Sequence, residues 1–370
     1  MGSWAAAVWV IGGANVDVKA RSMGAFLAGT SNPGSVHGAF GGVARNVAEN
    51  LGRLGWRPRL VSAVGTDHDG EALLAHASAA GVDVRHVARV HGAATGRYVA
   101  LIAGHGELVG AVADMSTVEG LELTGIPIAD MRAGDVAVVD ANLSAAACAG
   151  LLPACRCAGV TTFVDPVSAA KARRLAGSLA YVDVLAPNVD ELAVLLEDVA
   201  DAPLAGRTAL AGWSEMQPDC ARGLIADGAA RLCRAGCRAV VVTCGPLGAC
   251  LVEGAAEARW FTAQKRAVLD VTGAGDALMA GVLHGYLGGR QTDNRSGRRG
   301  DSRAGSPGGE WGRRTSRHLS GARLPSAMLY GMALGGLTVG VAGAVADTLT
   351  RESLEAARME YIAERELFGE

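Results

Sequence analysis

Aromatic residues are scarce in this chain: Phe, Trp and Tyr together make up 4% of its 370 residues. So thin a supply argues against a single-stranded nucleic-acid surface, which stacks bases on aromatic rings. Charge is nearly balanced, with a formal net of -3, and gives no field for a polyanionic partner. Eight cysteines are present, yet none stands in a C-x-x-C pair, the spacing common to zinc and redox sites. Most fall in apolar patterns and read as reduced core residues in a reducing compartment. The N-terminus lacks a basic segment ahead of a long apolar run, because Ala5 to Ile11 is short and meets Gly12-Gly13. No secretory signal is expected, and Leu367-Phe-Gly-Glu370 is no peroxisomal address, so an intracellular, cytoplasmic protein is the expectation. One charge-free run, Leu324 to Ala346, is long enough to span a bilayer, but its five glycines suit a buried helix better than a lipid-facing one. Neither a membrane nor a stable nucleic-acid partner is expected.

What the chain does have is length for a sizeable core and 52 glycines, which supply tight turns and close backbone approaches. Short aliphatic runs alternate with helical patterns. Val8 to Gly12, Leu60 to Val64, Val136 to Val139, Val160 to Val164, Val182 to Ala186 and Ala239 to Thr243 read as buried strands. That alternation predicts an α/β fold with a mostly parallel sheet covered by helices. Gly41 to Gly55 carries Val43, Val47, Leu51 and Leu54 at helical spacing, entered through a Gly-Gly turn. Around 14–40 and 96–115 the period drops to two with glycine turns, which predicts a small projecting sheet able to act as a lid. Arg290 to Arg323 holds nine arginines against three acids and little that is apolar. It reads as a solvated, disordered insertion, although an arginine-glycine run can also neutralise phosphates.

Chemistry concentrates in Asp270-Val-Thr-Gly-Ala-Gly-Asp276 ahead of an apolar helical pattern. Gly273, Ala274 and Gly275 open a helix whose first N–H groups lack intrahelical partners, a site for a phosphate or developing anion. Asp276 at that mouth can accept the proton of an attacking alcohol. A capping carboxylate would have the same pattern.

This segment resembles the C-terminal signature of the ribokinase-like (PfkB) carbohydrate kinases. Gly12-Gly-Ala-Asn-Val-Asp17, Gly41-Gly-Val-Ala-Arg-Asn46 and Val64-Gly-Thr-Asp67-x-x-Gly70 resemble that family's N-terminal signatures, in their expected order. The resemblance implies a single kinase domain over 1–370, folded as a three-layer α/β/α sandwich with a projecting β-sheet lid. It implies Asp276 as base and Gly273, Ala274 and Gly275 as an anion hole. Asn15, Asp17, Gly41, Gly42 and Asn46 would meet a sugar. Asn188-Val-Asp-Glu191 resembles an element that helps hold magnesium, with Glu191 acting indirectly; a helix-capping Asn with a first-turn Glu looks identical. Thr243, Gly245, Gly248 and Thr272 would line ATP. ATP and Mg2+ are the implied cofactors, with a monovalent cation such as K+ as a further option.

Within the family, several stretches are similar to the branch that acts on pseudouridine: Ser31-Asn-Pro-Gly34, Gly41 to Leu51, Ala111 to Met115, Asp140-Ala-Asn142 and Val164 to Lys171. A nucleoside site needs polar groups for the base edge as well as the ribose. Ser31, Asn32, Asp114 and Asn142 are the candidates, with Thr95 and Tyr98 as lid contacts, Asp165 as a further substrate contact and Lys171 as a residue able to meet phosphate. Asn32-Pro33 reads equally as a turn and Lys171 as a solvated helix lysine. The implied reaction is transfer of the ATP γ-phosphoryl group to the 5′-hydroxyl of pseudouridine. Other readings are a ribokinase or adenosine kinase, and a non-catalytic nucleoside-binding protein. Members of the family often pair through their lids, so a homodimer is expected.

Overall fold

Val8–Ile11 (β1) is a strand with every side chain buried, and its residues divide by parity: Val8 and Val10 enter one core layer, Trp9 and Ile11 the other. Val136–Asp140 (β8) and Ala239–Thr243 (β11) split the same way, with Val136, Val138, Ala239 and Val241 on the first side and Ala137, Val139, Val240 and Val242 on the second. Strands apolar on both faces must be covered on both, and this sets the three-layer α/β/α architecture. The computed structural model describes residues 6–197, 199, 210–295 and 323–368.

The main sheet also contains Arg59–Gly65 (β4), Asp83–Val90 (β5), Thr161–Asp165 (β9), Val184–Leu185 (β10), Ala249–Glu253 (β12) and Arg259–Phe261 (β13). Its order is β13-β12-β11-β10-β9-β8-β1-β4-β5. Pairings from β5 to β11 are parallel, and β12 and β13 close one edge antiparallel. A second sheet holds Asn15–Ser22 (β2), Gly34–Gly41 (β3), Gly96–Ile102 (β6) and Leu108–Asp114 (β7), in the order β3-β2-β6-β7. β3 and β7 are largely exposed, with Val36 and Val112 open to solvent. This is the projecting sheet that the period-two regions anticipate.

Val43–Arg53 (α1) buries Ala44 to Leu51 against β1 and β4, and His68–Ala79 (α2) is N-capped by Asp67, whose side chain accepts from Gly70 N at 2.9 Å. The helices Ala274–Arg295 and Arg323–Thr338 pack antiparallel through small residues. A Cβ on Gly281 would stand 2.5 Å from the Tyr330 carbonyl oxygen, and one on Gly331 2.9 Å from that of Leu278. The glycine stripe of the charge-free run is therefore a helix-crossing surface. That run is not one helix to Ala346, as its composition suggested: it ends at Thr338, where Gly340 and a left-handed Gly343 (φ 94°) turn the chain. Among the described residues no helix is long and apolar enough to cross a membrane.

The basic stretch Arg290 to Arg323 falls mostly outside the described residues. At its ends, 290–295 continues the preceding helix and Arg323 opens the next. Of the eight cysteines, six are buried without disulfide partners, while Cys157 and Cys220 are exposed.

Candidate active site

The parallel strands end in a row. β1 runs into Gly12-Gly13, β8 into Asp140 to Asn142, β9 into Asp165 to Val167, β10 into Asn188 and β11 into Thr243 to Gly245. Ligands of open α/β sheets bind outside these carboxyl ends, and four strand spacings make the row roughly 19 Å long.

At the β1 end, buried Asp140 gathers three loops. Its Oδ2 accepts from Gly13 N and Ala44 N at 2.8 Å each, and its Oδ1 from Asn142 N at 2.9 Å. The carboxylate thus fixes the turn after β1 and the entry of α1, which carries Asn46. Burial pushes its carboxyl up, and the three amide bonds oppose this. Asp140 lay in a stretch quoted above without a role. An acid ending a fully apolar parallel strand was the available signal.

Asn46 Nδ2 donates to Asp276 Oδ2 at 2.7 Å. Asp276 stands in the first turn of Ala274–Arg295 and is buried. Its carboxyl is pushed up to about 7, first by burial; the Asn46 bond and Arg45 oppose this, while Asp140 and Asp17 add to it. Gly273 ahead of it is left-handed (φ 76°), and a Cβ there would meet Ala344 Cα at 2.5 Å. Only glycine fits that conformation and contact together. Across from this mouth, Asn15 Nδ2 donates to Asp17 Oδ1 at 2.7 Å on β2. Gly41 lies against the Asp17 carboxylate and Gly42 against the Gly13 backbone. Burial raises the Asp17 carboxyl, against its bond to Asn15 and the charges of Lys19 and Arg45. Residues 230 and more apart in sequence are therefore brought together at the base of the projecting sheet.

The chain matches the model of the pfkB family carbohydrate kinases over residues 5–306. It belongs to that family. It is similar to the pseudouridine kinase of Escherichia coli (strain K12), 34% identical over 290 residues that cover 76% of this chain and 84% of that one. Similarity extends to a guanosine-inosine kinase of Exiguobacterium acetylicum, 26% identical over 280 residues, covering 74% and 85% of the two chains. The ribokinase of Giardia lamblia shares the fold, with a TM-score of 0.72 at 18% identity over 96% of this chain and 99% of that one. This PfkB chain is a sugar or nucleoside kinase with a ribokinase-like fold.

Further along the row, the kinase carries two more acids, the partly buried Asp165 and the buried Glu191. Asp165 Oδ1 accepts from Val167 N at 2.7 Å, and Val167 is the one non-glycine residue with positive φ (69°) among the described residues. A β-branched residue there is strained, as functional loops often are. The Asp165 carboxyl is held well above its usual range by burial, then by the charges of Glu191 and Asp276. Glu191 accepts from Asn188 N and Nδ2 at 2.9 Å each, and Asn188 Oδ1 accepts from Glu191 N at 2.8 Å. This is a reciprocal capping box, and burial pushes Glu191 up to about 7. The charge of Glu191 raises the proton affinity of Asp165, and two carboxylates at neighbouring strand ends make an oxygen donor set that suits a divalent cation.

Thr243 bridges to Asn188 across the strand ends. Gly245 opens a short turn with space beside it. Gly248 (φ 92°) is pressed against the Phe261 carbonyl, so its need for glycine is explained by the hairpin itself. Thr272 Oγ1 and Asp270 Oδ2 each receive a 2.8 Å bond from Lys19 Nζ, which reaches over from β2. Burial would raise Asp270, but Lys19 and Thr272 outweigh it and hold the carboxyl at about 2.

Several residues assigned to the base edge have other partners. Asn32 is a loop staple: its Oδ1 accepts from Leu27 N at 2.8 Å and its Nδ2 donates to Leu27 O at 2.8 Å and Thr30 O at 3.1 Å. Ser31 beside it is exposed. Asp114 is exposed and caps Ser116 through N and Oγ at 3.1 and 2.8 Å. Thr95 is buried, its hydroxyl 2.5 Å from Asp67 Oδ1. Asn142 does stay at the row, where its Oδ1 accepts from Lys171 Nζ at 2.5 Å. Lys171 is thus no solvated helix lysine, and burial lowers its proton affinity.

Proposed function

We propose that this kinase transfers the γ-phosphoryl group of ATP to the 5′-hydroxyl of pseudouridine, with Asp276 as the base. The observation that carries the chemistry is the 2.7 Å bond from Asn46 to a buried Asp276 at a glycine-opened helix mouth. Asn46 occupies Oδ2, which leaves Oδ1 to take the proton of the acceptor hydroxyl. A base with proton affinity raised to about 7 suits this transfer near neutral pH. The amides of Gly273 and Gly275, joined by that of Ala274 once it leaves the Val271 carbonyl it meets at 3.3 Å, and the positive end of the helix stabilise the charge that develops on the phosphoryl oxygens. Asp17, held by Asn15, accepts from ribose hydroxyls, and Gly41 and Gly42 let the ring approach the backbone. Glu191, with Asp165 beside it, would hold an Mg2+ ion brought by the nucleotide, and that ion would neutralise phosphate charge. Thr243, Gly245 and Thr272 lie along the ATP. β2, β3, β6 and β7 form the lid, and exposed Val36 and Val112 on it suit a homodimer paired lid to lid.

The base attached to the ribose rests on the 34% identity to a pseudouridine kinase, with Asn142, Lys171 and Asp165 as its contacts. Turnover with ATP of pseudouridine, uridine, guanosine, inosine and ribose tests this. We expect kcat/KM for pseudouridine to lead by tenfold or more; ribose or guanosine at parity would remove the substrate assignment. Asp276→Asn is expected to lower kcat by about 10²–10⁴, and near-normal turnover would remove the base.

A further inference from the structure

We propose that Arg45 is a positioning residue for Asp276, acting through the side-chain amide of Asn46 and anchored by Glu49. The proposal rests on the reading of Asp276 as the base. Arg45 Nη1 donates to Asn46 Oδ1 at 2.7 Å and to Phe40 O at 2.8 Å. Guanidinium has donors and no acceptor, so it dictates which end of the amide faces it. The oxygen of Asn46 must turn to Arg45, and the NH₂ must then turn to Asp276. Without Arg45 the amide is free to flip and oppose its oxygen to the carboxylate.

Arg45 is itself held from the other side. Its Nη2 donates to Glu49, whose second oxygen takes Arg53 Nε and Nη2 at 3.0 and 2.7 Å, and His76 Nδ1 stands 3.3 Å from Nη2. Arg45 and Glu49 are 3% and 0% exposed. The groups acting on Asp276 come from four elements: Asp17 on β2, Asp140 ending β8, Asp165 ending β9, and Arg45 with Asn46 on α1. Three of these are acids, and Arg45 is the cation that offsets them.

The test compares Arg45→Met, Arg45→Lys and Glu49→Gln by kcat, KM and the acid limb of the pH–rate profile, with thermal unfolding as a fold control. Arg45→Met should lower kcat by ~10–100-fold with KM for the sugar little changed, and move the acid limb up by ~1 pH unit. Arg45→Lys should recover part of the limb shift. Glu49→Gln leaves the guanidinium uncompensated and should move the limb down, a reversal that general damage would not produce. A folded Arg45→Met with kcat within about twofold of wild type and an unmoved limb would overturn the proposal. Should that variant not fold, an upward or absent shift in Glu49→Gln overturns it instead. If Asp276→Asn is inactive while Arg45→Met behaves as wild type, positioning alone fails; if Asp276→Asn keeps its turnover, the base assignment fails.

Discussion

Asp140→Asn replaces one carboxylate oxygen with an NH₂ at the point where three loops meet, and the cost can be worked from the geometry. Oδ2 accepts two amides and Oδ1 one. The better rotamer of asparagine keeps its oxygen on Gly13 and Ala44 and points NH₂ at Asn142 N, two donors head to head. Losing that charge-assisted bond costs about 1.5–3 kcal/mol, and the stranded donors a further ~1–3. Relief of the buried charge returns part of this, so a net loss of about 2–4 kcal/mol is expected. Urea unfolding at pH 7 measures it through a lower midpoint at unchanged slope. Because a neutral amide oxygen holds Ala44 N more weakly than the carboxylate does, the entry of α1 loosens as well, and Asn46 two residues on loses its aim at Asp276. Turnover should therefore fall with stability. A change within about 0.5 kcal/mol, together with wild-type kcat, would mean that the carboxyl is already neutral in the folded protein and would refute the reasoning.

Gly273→Ala combines a left-handed backbone, about 1–2 kcal/mol for an L-residue, with a Cβ 2.5 Å from Ala344 Cα; kcat should fall by tenfold or more with the sugar KM nearly unchanged, and an unaltered kcat would count against the tight loop. Lys19→Met removes the tie between β2 and the Asp270–Thr272 loop; the sugar KM and ATP hydrolysis without acceptor should both rise, and neither moving would show the tie to be idle. His284 accepts from Trp56 Nε1 at 3.0 Å, and burial lowers its proton affinity from 6.5 to about 4. The unfolded chain then binds the extra proton between those values, so stability is present above pH 6.5 and is lost as pH falls toward 4, by on the order of 3 kcal/mol. His284→Gln should flatten that part of a urea-midpoint-versus-pH curve, and an unchanged slope would exclude the histidine as its source.

The six aliphatic runs became strands of the main sheet because burial on both faces leaves an unbroken apolar signature. β5, β12 and β13 were not anticipated. β5 interleaves Arg85, His86 and Arg89 with valines at an edge, and β13 is three residues long. The ends of the site were legible because glycines and acids at turns must serve close backbone approaches or charge. Its wiring was not: nothing local to Arg45 in the sequence shows that it faces inward toward Asn46. Asn32 and Asp114 bond their own loops, and such side chains look the same in sequence as side chains awaiting a ligand. The solvated lysine reading of Lys171 failed because nothing local signals Asn142, which reaches it from another strand end.

The antiparallel helices on either side of 296–322 have a practical consequence. Their register, Gly281 on Gly331 and Gly285 on Ala327, keeps the two flanks of that stretch side by side through contacts made elsewhere along the pair. Joining neighbouring ends costs little more entropy as the joining segment lengthens. Asp276 lies at the opposite end of the pair, about 20 Å from the level of Arg323 at 1.5 Å per residue. Chain length can therefore be added, exchanged or cut at this point with little effect on the Asp276 end, which makes it the place to open new termini for a circular permutant or to graft a reporter domain.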